Sequence, residues 1–435
     1  MVSVGDPAEI PNLYSFTGKF TKSDFYHVIV FYAKGKPVQT IFTTQDENLH
    51  RMLKRPIAGI YTMSNLMSFE PYVDTTISFF FAQLDKRFAQ TGDICNLGTW
   101  LQMFAFDVMG ELTFSKRLGF LERAEDVDGI MESIWHYFQK TTPVTQIPWV
   151  DRLWAKNPIF QRLKAVRMNP IAGFGLARIA ERKSAPDTSD NKESSTNSRD
   201  FLSRFLEAQA KDKTIPPWAL TAWTTSNIAA GSDTTAILLR TTIYSLLSHP
   251  ATLSRLLSEL DSLPPSSVRT STTFKQARSL PYLDACIKEA GRLHPPFGLP
   301  LERVVPPEGA TVCRQRFTGG TVVGMSPWVV HRDQDVFGED AGVWRPERWL
   351  DCDNEQRRRM EAGLLTFGAG HRACIGKNIS YLEVYKLIPS LLRTYEIAFA
   401  EPGCPGWRVE NRWFVNQTGL NVRLKRRDDG EGKKA

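Results

Sequence analysis

The chain has 435 residues, 42% of them hydrophobic and 23% charged. That is the composition of a soluble globular protein with room for a large core, and it excludes collagenous, low-complexity and disulfide-dense classes. The net charge of +7 is spread along the chain, with local basic runs only at Lys425–Arg427 and Lys433–Lys434, so a solvated tail explains it better than a nucleic-acid surface. A positive face for an acidic redox partner is the second reading of that charge. The six cysteines, at 95, 286, 313, 352, 374 and 404, have neither paired nor CxxC spacing and read as free thiols in a reducing compartment. His371 and Cys374 lie close together, but no second ligand pair stands at zinc-like spacing.

In chain order, Met1 to Leu13 holds Asp6, Glu9 and two prolines and reads as neither signal peptide nor membrane anchor. Residues 50–182 read mainly as helix, with amphipathic runs around 69–90 and 98–114. Trp149 and Trp154, in I-P-W-V-D-R-L-W, are expected to pack inside, a membrane interface being their other place. The polar segment 183–200 is predicted as a flexible surface loop.

Pro216-Pro217 opens and His249-Pro250 closes a long helix over 218–248, whose only charged residues are Asp233 and Arg240. It is long enough to span a bilayer, yet its threonines, serines and asparagine predict a helix buried across the core instead. Within it, A-G-S-D-T-T at 230–235 breaks the rules of a helix interior. Gly231 costs about 1 kcal/mol against alanine. Thr234 can bond back to a carbonyl one turn earlier, and Asp233 is costly in apolar surroundings unless paired. Such local conflict marks a site.

Leu283, Ile287 and Leu293 give the next helix an apolar face, and Pro295-Pro296 stop it. Glu289 and Arg292, at i and i+3, can pair on it, although E-x-x-R alone is by default a surface ion pair. Residues 298–330 shift to short strands around 303–305 and 321–323. Last comes F-G-A-G-H-R-A-C-I-G at 367–376. Ile375, Ile379, Leu382 and Tyr385 then recur at helical spacing, so Cys374 stands where a helix begins and where unpaired amides favour a thiolate. A thiolate in a glycine-lined loop, against which a flat ligand can lie, is what a haem iron needs from a protein. The elements amount to a mainly α fold with small β-sheets, and residues 428–435 are predicted as a disordered tail.

Phe367, Gly370, Arg372, Cys374 and Gly376 resemble the haem-binding loop F-x-x-G-x-R-x-C-x-G of the cytochrome P450 family. A-G-S-D-T-T resembles the family's A-G-x-D-T-T segment. Glu289-Ala290-Gly291-Arg292 and Trp344-Arg345-Pro346-Glu347-Arg348-Trp349 are similar to its E-x-x-R and P-E-R blocks. The likeness runs from about Val2 to Arg427, and V-V-H-R-D-Q-D-V-F-G-E-D-A is most similar to fungal microsomal members of the pisatin-demethylase-like kind. It implies a cytochrome P450 fold as one domain over 1–435. That fold would be N-terminally shortened, since Asp6-Pro7-Ala8-Glu9-Ile10 follows Met1 where members carry an anchor, a hinge and leading strands.

The resemblance also implies roles. Cys374 ligates the iron of haem b (iron protoporphyrin IX), Arg372 pairs with a propionate and Phe367 packs beside the sulfur. His50, Lys54 and Arg303 are further propionate partners. Thr234 hydrogen-bonds dioxygen and Asp233 feeds protons from solvent. Glu289, Arg292 and Arg348 form a buried network that supports the cysteine loop, while Gly291 departs from a larger residue and is expected to loosen that turn. Asn227, Ile228, Phe297, Leu299, Leu301 and Phe414 wall the substrate, with core packing the alternative role for each.

The implied activity is a monooxygenase inserting one oxygen atom from O2 into a lipophilic small molecule of fungal specialised metabolism. Electrons come from NADPH through NADPH-cytochrome P450 reductase. The chain would act as a monomer at the cytosolic face of the endoplasmic reticulum, although it shows no transmembrane anchor. The rivals are a haem-binding but catalytically impaired form and a haem-thiolate isomerase or dehydratase; the Asp233-Thr234 pair counts against the latter.

Overall fold

A helix that is apolar all round must be covered on nearly every side, and the longest helix among the described residues is. In the computed structural model it runs Ala219–Ser248, ending where Pro250 forbids continuation. Helices α1 (Glu47–Lys54), α2 (Leu97–Phe114), α3 (Ala219–Ser248), α4 (Pro281–Leu293) and α5 (Lys377–Thr394) frame the site. The structure describes all residues except 31, 34, 35, 155, 158, 160–169, 185–199, 265–271, 402, 404, 405 and 428–435. The expected loop at 183–200 therefore lies, apart from its edges, outside the described residues, as does the tail. Its edges are tied: Arg182 donates to buried Asp200 at 2.6 Å, and Asp200 caps the helix Phe201–Lys211.

α2, α4 and α5 all pack on α3, so the main core surrounds it. Val108, Met109, Leu239 and Leu382 are among its fully buried members. The strands are short and lie to one side. A four-stranded sheet has the order Val2–Ser3, Val322–Gly324, Arg303–Val304, Thr21–Lys22, and its register sets Lys22 directly beside Arg303. Arg408–Arg412 and Phe414–Thr418 form a hairpin whose tip, Trp413, is held at φ 73°. For a bulky residue that is a strained conformation, sustained only by strong local packing.

Among the described residues no helix is long and apolar enough to cross a membrane, in keeping with the buried reading of α3. One expectation is corrected: Trp149 and Trp154 are 63% and 71% exposed, as are Ile147, Leu153 and Ile159 for the most part. The reason is local. The helix Pro148–Leu153 is too short to bury two faces, and Asp151, ion-paired to Lys156 at 2.8 Å, takes the inner one.

Candidate active site

The cysteine loop is built from two directions. Gly370 has φ +65°, and a Cβ there would lie 1.7 Å from the Tyr14 carbonyl oxygen, so only glycine lets the loop press on that backbone. The His371 ring then bonds the Ser15 carbonyl at 2.8 Å, and the Cys374 N–H donates to the Phe367 carbonyl at 2.8 Å. The Phe367 ring meets Tyr381 edge-on at 5.1 Å. Cys374 precedes α5 by three residues, and the N–H groups of Gly376 and Lys377 bond its sulfur. Burial nevertheless pushes the thiol above its ordinary value, while those two amides, Lys54 and Lys377 pull it down. The helix terminus therefore favours the thiolate as expected, but burial outweighs it in the protein alone. Protein atoms crowd the thiol, yet it keeps accessible surface, so it faces an internal space and not bulk solvent.

The loop is braced from behind. Glu289 accepts from Arg292 at 2.7 and 2.8 Å, from Arg348 at 3.0 Å and from the Trp349 indole at 2.9 Å. Glu289, Arg292 and Arg348 are all buried, so the E-x-x-R pair is no surface ion pair. His331 carries this bracing to the loop. Its Nδ1 bonds the Arg292 carbonyl at 2.8 Å, and its Nε2 accepts from the Leu365 N–H at 2.6 Å. Burial lowers His331 to about 3 and keeps it neutral, with the proton on Nδ1. Gly291 does not loosen the turn. Its carbonyl accepts from the Thr366 hydroxyl at 2.8 Å, and a Cβ on it would come within 3.0 Å of Thr366, so the bare glycine brings the loop closer.

A cationic cluster lies on the other side. Lys54 donates to the His371 carbonyl at 2.6 Å. Arg372 is paired with Glu47 at 2.8 Å and reaches the Ile41 carbonyl at 3.3 Å. Arg303 donates to the Glu302 carbonyl at 2.8 Å and approaches the Tyr26 hydroxyl at 3.4 Å. Buried Lys22, beside Arg303, sits 4.0 Å from the Tyr26 ring centre and 4.1 Å from that of Phe42. Burial, with Arg303 and Arg372, holds Lys22 well below its ordinary value. Burial, with Arg372 and Lys54, lowers His50 to about 3, leaving it a neutral donor or acceptor. Four basic side chains thus gather beside two carboxylates, Glu47, which pairs with Arg372, and buried Glu302, which accepts from the Ser23 hydroxyl at 2.6 Å. Glu47, His50 and His371 also approach one another closely enough to suit a metal ion, but the surrounding cations oppose one. A buried surplus of positive charge calls for an anion with more than one acidic group. A flat ligand bearing two carboxylates and an iron for the thiol fits this donor set.

On α3, Ala230 is exposed although the helix around it is largely buried. The Thr234 hydroxyl donates to the Ala230 carbonyl at 2.8 Å, the back-bond expected of it. Gly231 is filled from behind: a Cβ there would meet Met109 at 2.6 Å, so the missing side chain lets α2 approach. Asp233 points toward α2 and accepts from Gln102 at 2.5 Å. Burial raises it to about 6, against the opposing pull of Gln102 and Arg240.

The expected substrate wall divides. Phe297, Leu299 and Phe414 join a cluster of rings with Phe25, Tyr26, Phe138 and Trp413. Phe42 stacks on Phe297 at 6.3 Å, and Trp413 lies 5.3 Å from Phe297 and 5.4 Å from Phe42. Because Ile41 accepts from Arg372, this roof adjoins the cysteine loop. Leu301 packs instead on the core beneath the four-stranded sheet. Asn227 is committed to Thr113 at 2.8 Å and Tyr61 at 3.0 Å, and Ile228 is buried in the main core. A recess of about 310 Å³ is lined by Phe367, Lys377 and Tyr381 with ion-paired Arg278, Asp284, Lys288 and Glu361.

Sequence reasoning missed Lys22, Glu47, Gln102, His331 and Trp413. Arg240 carried a signal, since a charge seven residues after Asp233 on an apolar helix shares its face. The others depend on contacts across the fold.

Residues 1–420 match the family model described as cytochrome P450. A cytochrome P450 monooxygenase of Aspergillus terreus is 56% identical over 399 residues, covering 92% of this chain and 81% of that protein. Cytochrome P450 monooxygenase cicH of Emericella nidulans is 51% identical over 428 residues, covering 98% of this chain and 85% of that one. Among solved structures, a crystallised cytochrome P450 superposes with a TM-score of 0.76 at 19% identity, covering 98% of this chain and 89% of the other. That likeness speaks for the fold alone.

Proposed function

The chain belongs to the cytochrome P450 family and is a haem-thiolate monooxygenase, and we propose that Cys374 is its iron ligand and the Asp233-Thr234 pair its proton supply. The carrying observation is the accessible thiol of Cys374 in a braced loop, with the basic side chains of Lys54 and Arg372 bonded into that loop's surroundings. Haem, when bound, supplies the activation of dioxygen and the transfer of one oxygen atom to substrate. Arg372, His50, Lys54, Arg303 and Lys22 would hold its carboxylates. Glu47 already neutralises part of Arg372, so the site is not left with its whole positive charge unbalanced. Thr234, turned from the Ala230 carbonyl, would offer its hydroxyl proton, and Asp233 would return a proton to that hydroxyl.

The redox partner is NADPH-cytochrome P450 reductase, and the protein works as a monomer. The substrate is a lipophilic specialised metabolite, received beneath Phe42, Phe138, Phe297, Trp413 and Phe414, a roof whose area is apolar and largely aromatic. The carbon monoxide difference spectrum of the dithionite-reduced protein tests the ligand. A strongly red-shifted Soret band is expected in the wild type and should vanish in Cys374→Ala; the same band in both would refute the assignment.

The exposed Ile147, Trp149, Leu153, Trp154 and Ile159 support attachment to the endoplasmic reticulum surface. In flotation with neutral phosphatidylcholine vesicles, the wild type is expected in the lipid fraction. The double variant Trp149→Glu, Trp154→Glu should lose most of that binding; equal partitioning of the two would remove this patch from the interface.

A further inference from the structure

The two members of the acid–alcohol pair are not bonded to each other. Thr234 is engaged by the Ala230 carbonyl at 2.8 Å, and Asp233 by the Gln102 amide of α2 at 2.5 Å. The amide is itself held. Arg240 donates to the Gln102 oxygen at 2.6 Å and to the Gly98 carbonyl at 2.7 Å. A guanidinium has only donors, so it forces the oxygen of Gln102 toward itself and the NH2 toward Asp233. The order of the chain is thereby fixed, from Gly98 through Arg240 and Gln102 to Asp233.

We propose that Gln102 is a positioning residue for oxygen activation, a latch that holds the Asp233 carboxylate on α2 and off the Thr234 hydroxyl until a proton is needed. The proposal rests on the acid–alcohol reading above and adds to it a part supplied from a second helix. An amide donating through N–H and accepting through C=O passes no net proton, so Gln102 is no conduit: the carboxyl ends the chain and must leave the latch to deliver. Three groups bear on the charge of Asp233. Gln102 and Arg240 favour the ionised form, and Asp126, which caps the helix Ile130–Thr145, opposes it. Burial adds to the opposition and brings the group to about 6. A carboxyl there changes charge near neutrality, where a proton donor is most useful.

Gln102→Glu tests the latch at constant shape. Its new carboxylate keeps Arg240 and sets a second acid against Asp233, so the titration midpoint of Asp233 must rise. Infrared difference titration of the haem-loaded ferric protein follows the protonated-carboxyl band, identified by its loss in Asp233→Asn. The expected result is an upward shift of about one pH unit or more, as a charge-assisted hydrogen bond is replaced by a like-charge contact. Hydrogen peroxide released per NADPH oxidised, measured with reductase across pH, should shift its midpoint by the same interval. An unmoved infrared midpoint overturns the latch, and so does a shifted midpoint that the peroxide profile ignores. A peroxide profile still pH-dependent in Asp233→Asn would instead refute the acid–alcohol reading itself. A wild-type carbon monoxide band in each variant establishes that the fold is intact.

Discussion

Glu289→Ala is expected to yield protein that does not hold haem and unfolds many degrees below the wild type. Among the described residues Glu289 is the only carboxylate bonded to Arg292, whose other partners there are the carbonyls of His331, Ala341 and Val343. Removing it leaves a buried guanidinium without a counter-ion, at about 3–5 kcal/mol. The orphaned Trp349 indole N–H adds about 1–3 kcal/mol. Against a typical total stability of about 5–15 kcal/mol, that sum is decisive. Arg348 suffers less because Asp340 also accepts from it at 2.9 Å. Glu289→Gln keeps an acceptor for Arg292 but loses the charge, and should fall between. Haem content and the thermal midpoint of purified protein measure this order. Wild-type haem content in Glu289→Ala, with a midpoint shifted by only about 2 °C, would mean that the network does not brace the loop.

Much of this was legible in the sequence because its signals are local. Proline pairs bound α3, the 3.6-residue spacing after Cys374 marks α5, and A-G-S-D-T-T declares itself by offending helix rules. The rest depends on distance. Nothing near Lys22 says that β pairing will set it beside Arg303, 281 positions away, or that two rings will enclose its ammonium. Gln102 is an ordinary polar residue on an apolar helix until α3 brings Asp233 against it. The tryptophans at 149 and 154 failed for the converse reason: side-chain type suggested burial, but Asp151 and Lys156 had already taken the inner face.

Two glycines of the cysteine motif look equivalent in sequence and should respond oppositely to alanine. At Gly370 the left-handed φ of +65° alone costs a β-carbon about 1–2 kcal/mol. The larger obstacle is the Tyr14 carbonyl oxygen 1.7 Å from where that carbon would sit. Because the obstacle is backbone, no rotamer change relieves it and the loop must move. The loop's other contacts resist: His371 is tied to the Ser15 carbonyl and to Glu47, and Arg372 to Glu47. The displacement therefore falls on the link between Gly370 and Ala373, bonded at 3.1 Å, and so on Cys374. Gly370→Ala is expected to lose haem incorporation while its far-ultraviolet circular dichroism stays near wild type, since α2 and α3 do not touch this contact. At Gly376, φ is −84° and the nearest atom to an added Cβ is the Cys374 sulfur at 3.9 Å, an ordinary contact. Gly376→Ala should fold and load haem to within about twofold of wild type, an ordinary surface-scale change. Haem content per polypeptide, read beside circular dichroism, separates the two. Equal retention by both variants would mean that the loop does not press on the Tyr14 backbone, and equal loss would mean that Gly376 is needed for the bound haem and not for the fold of the loop.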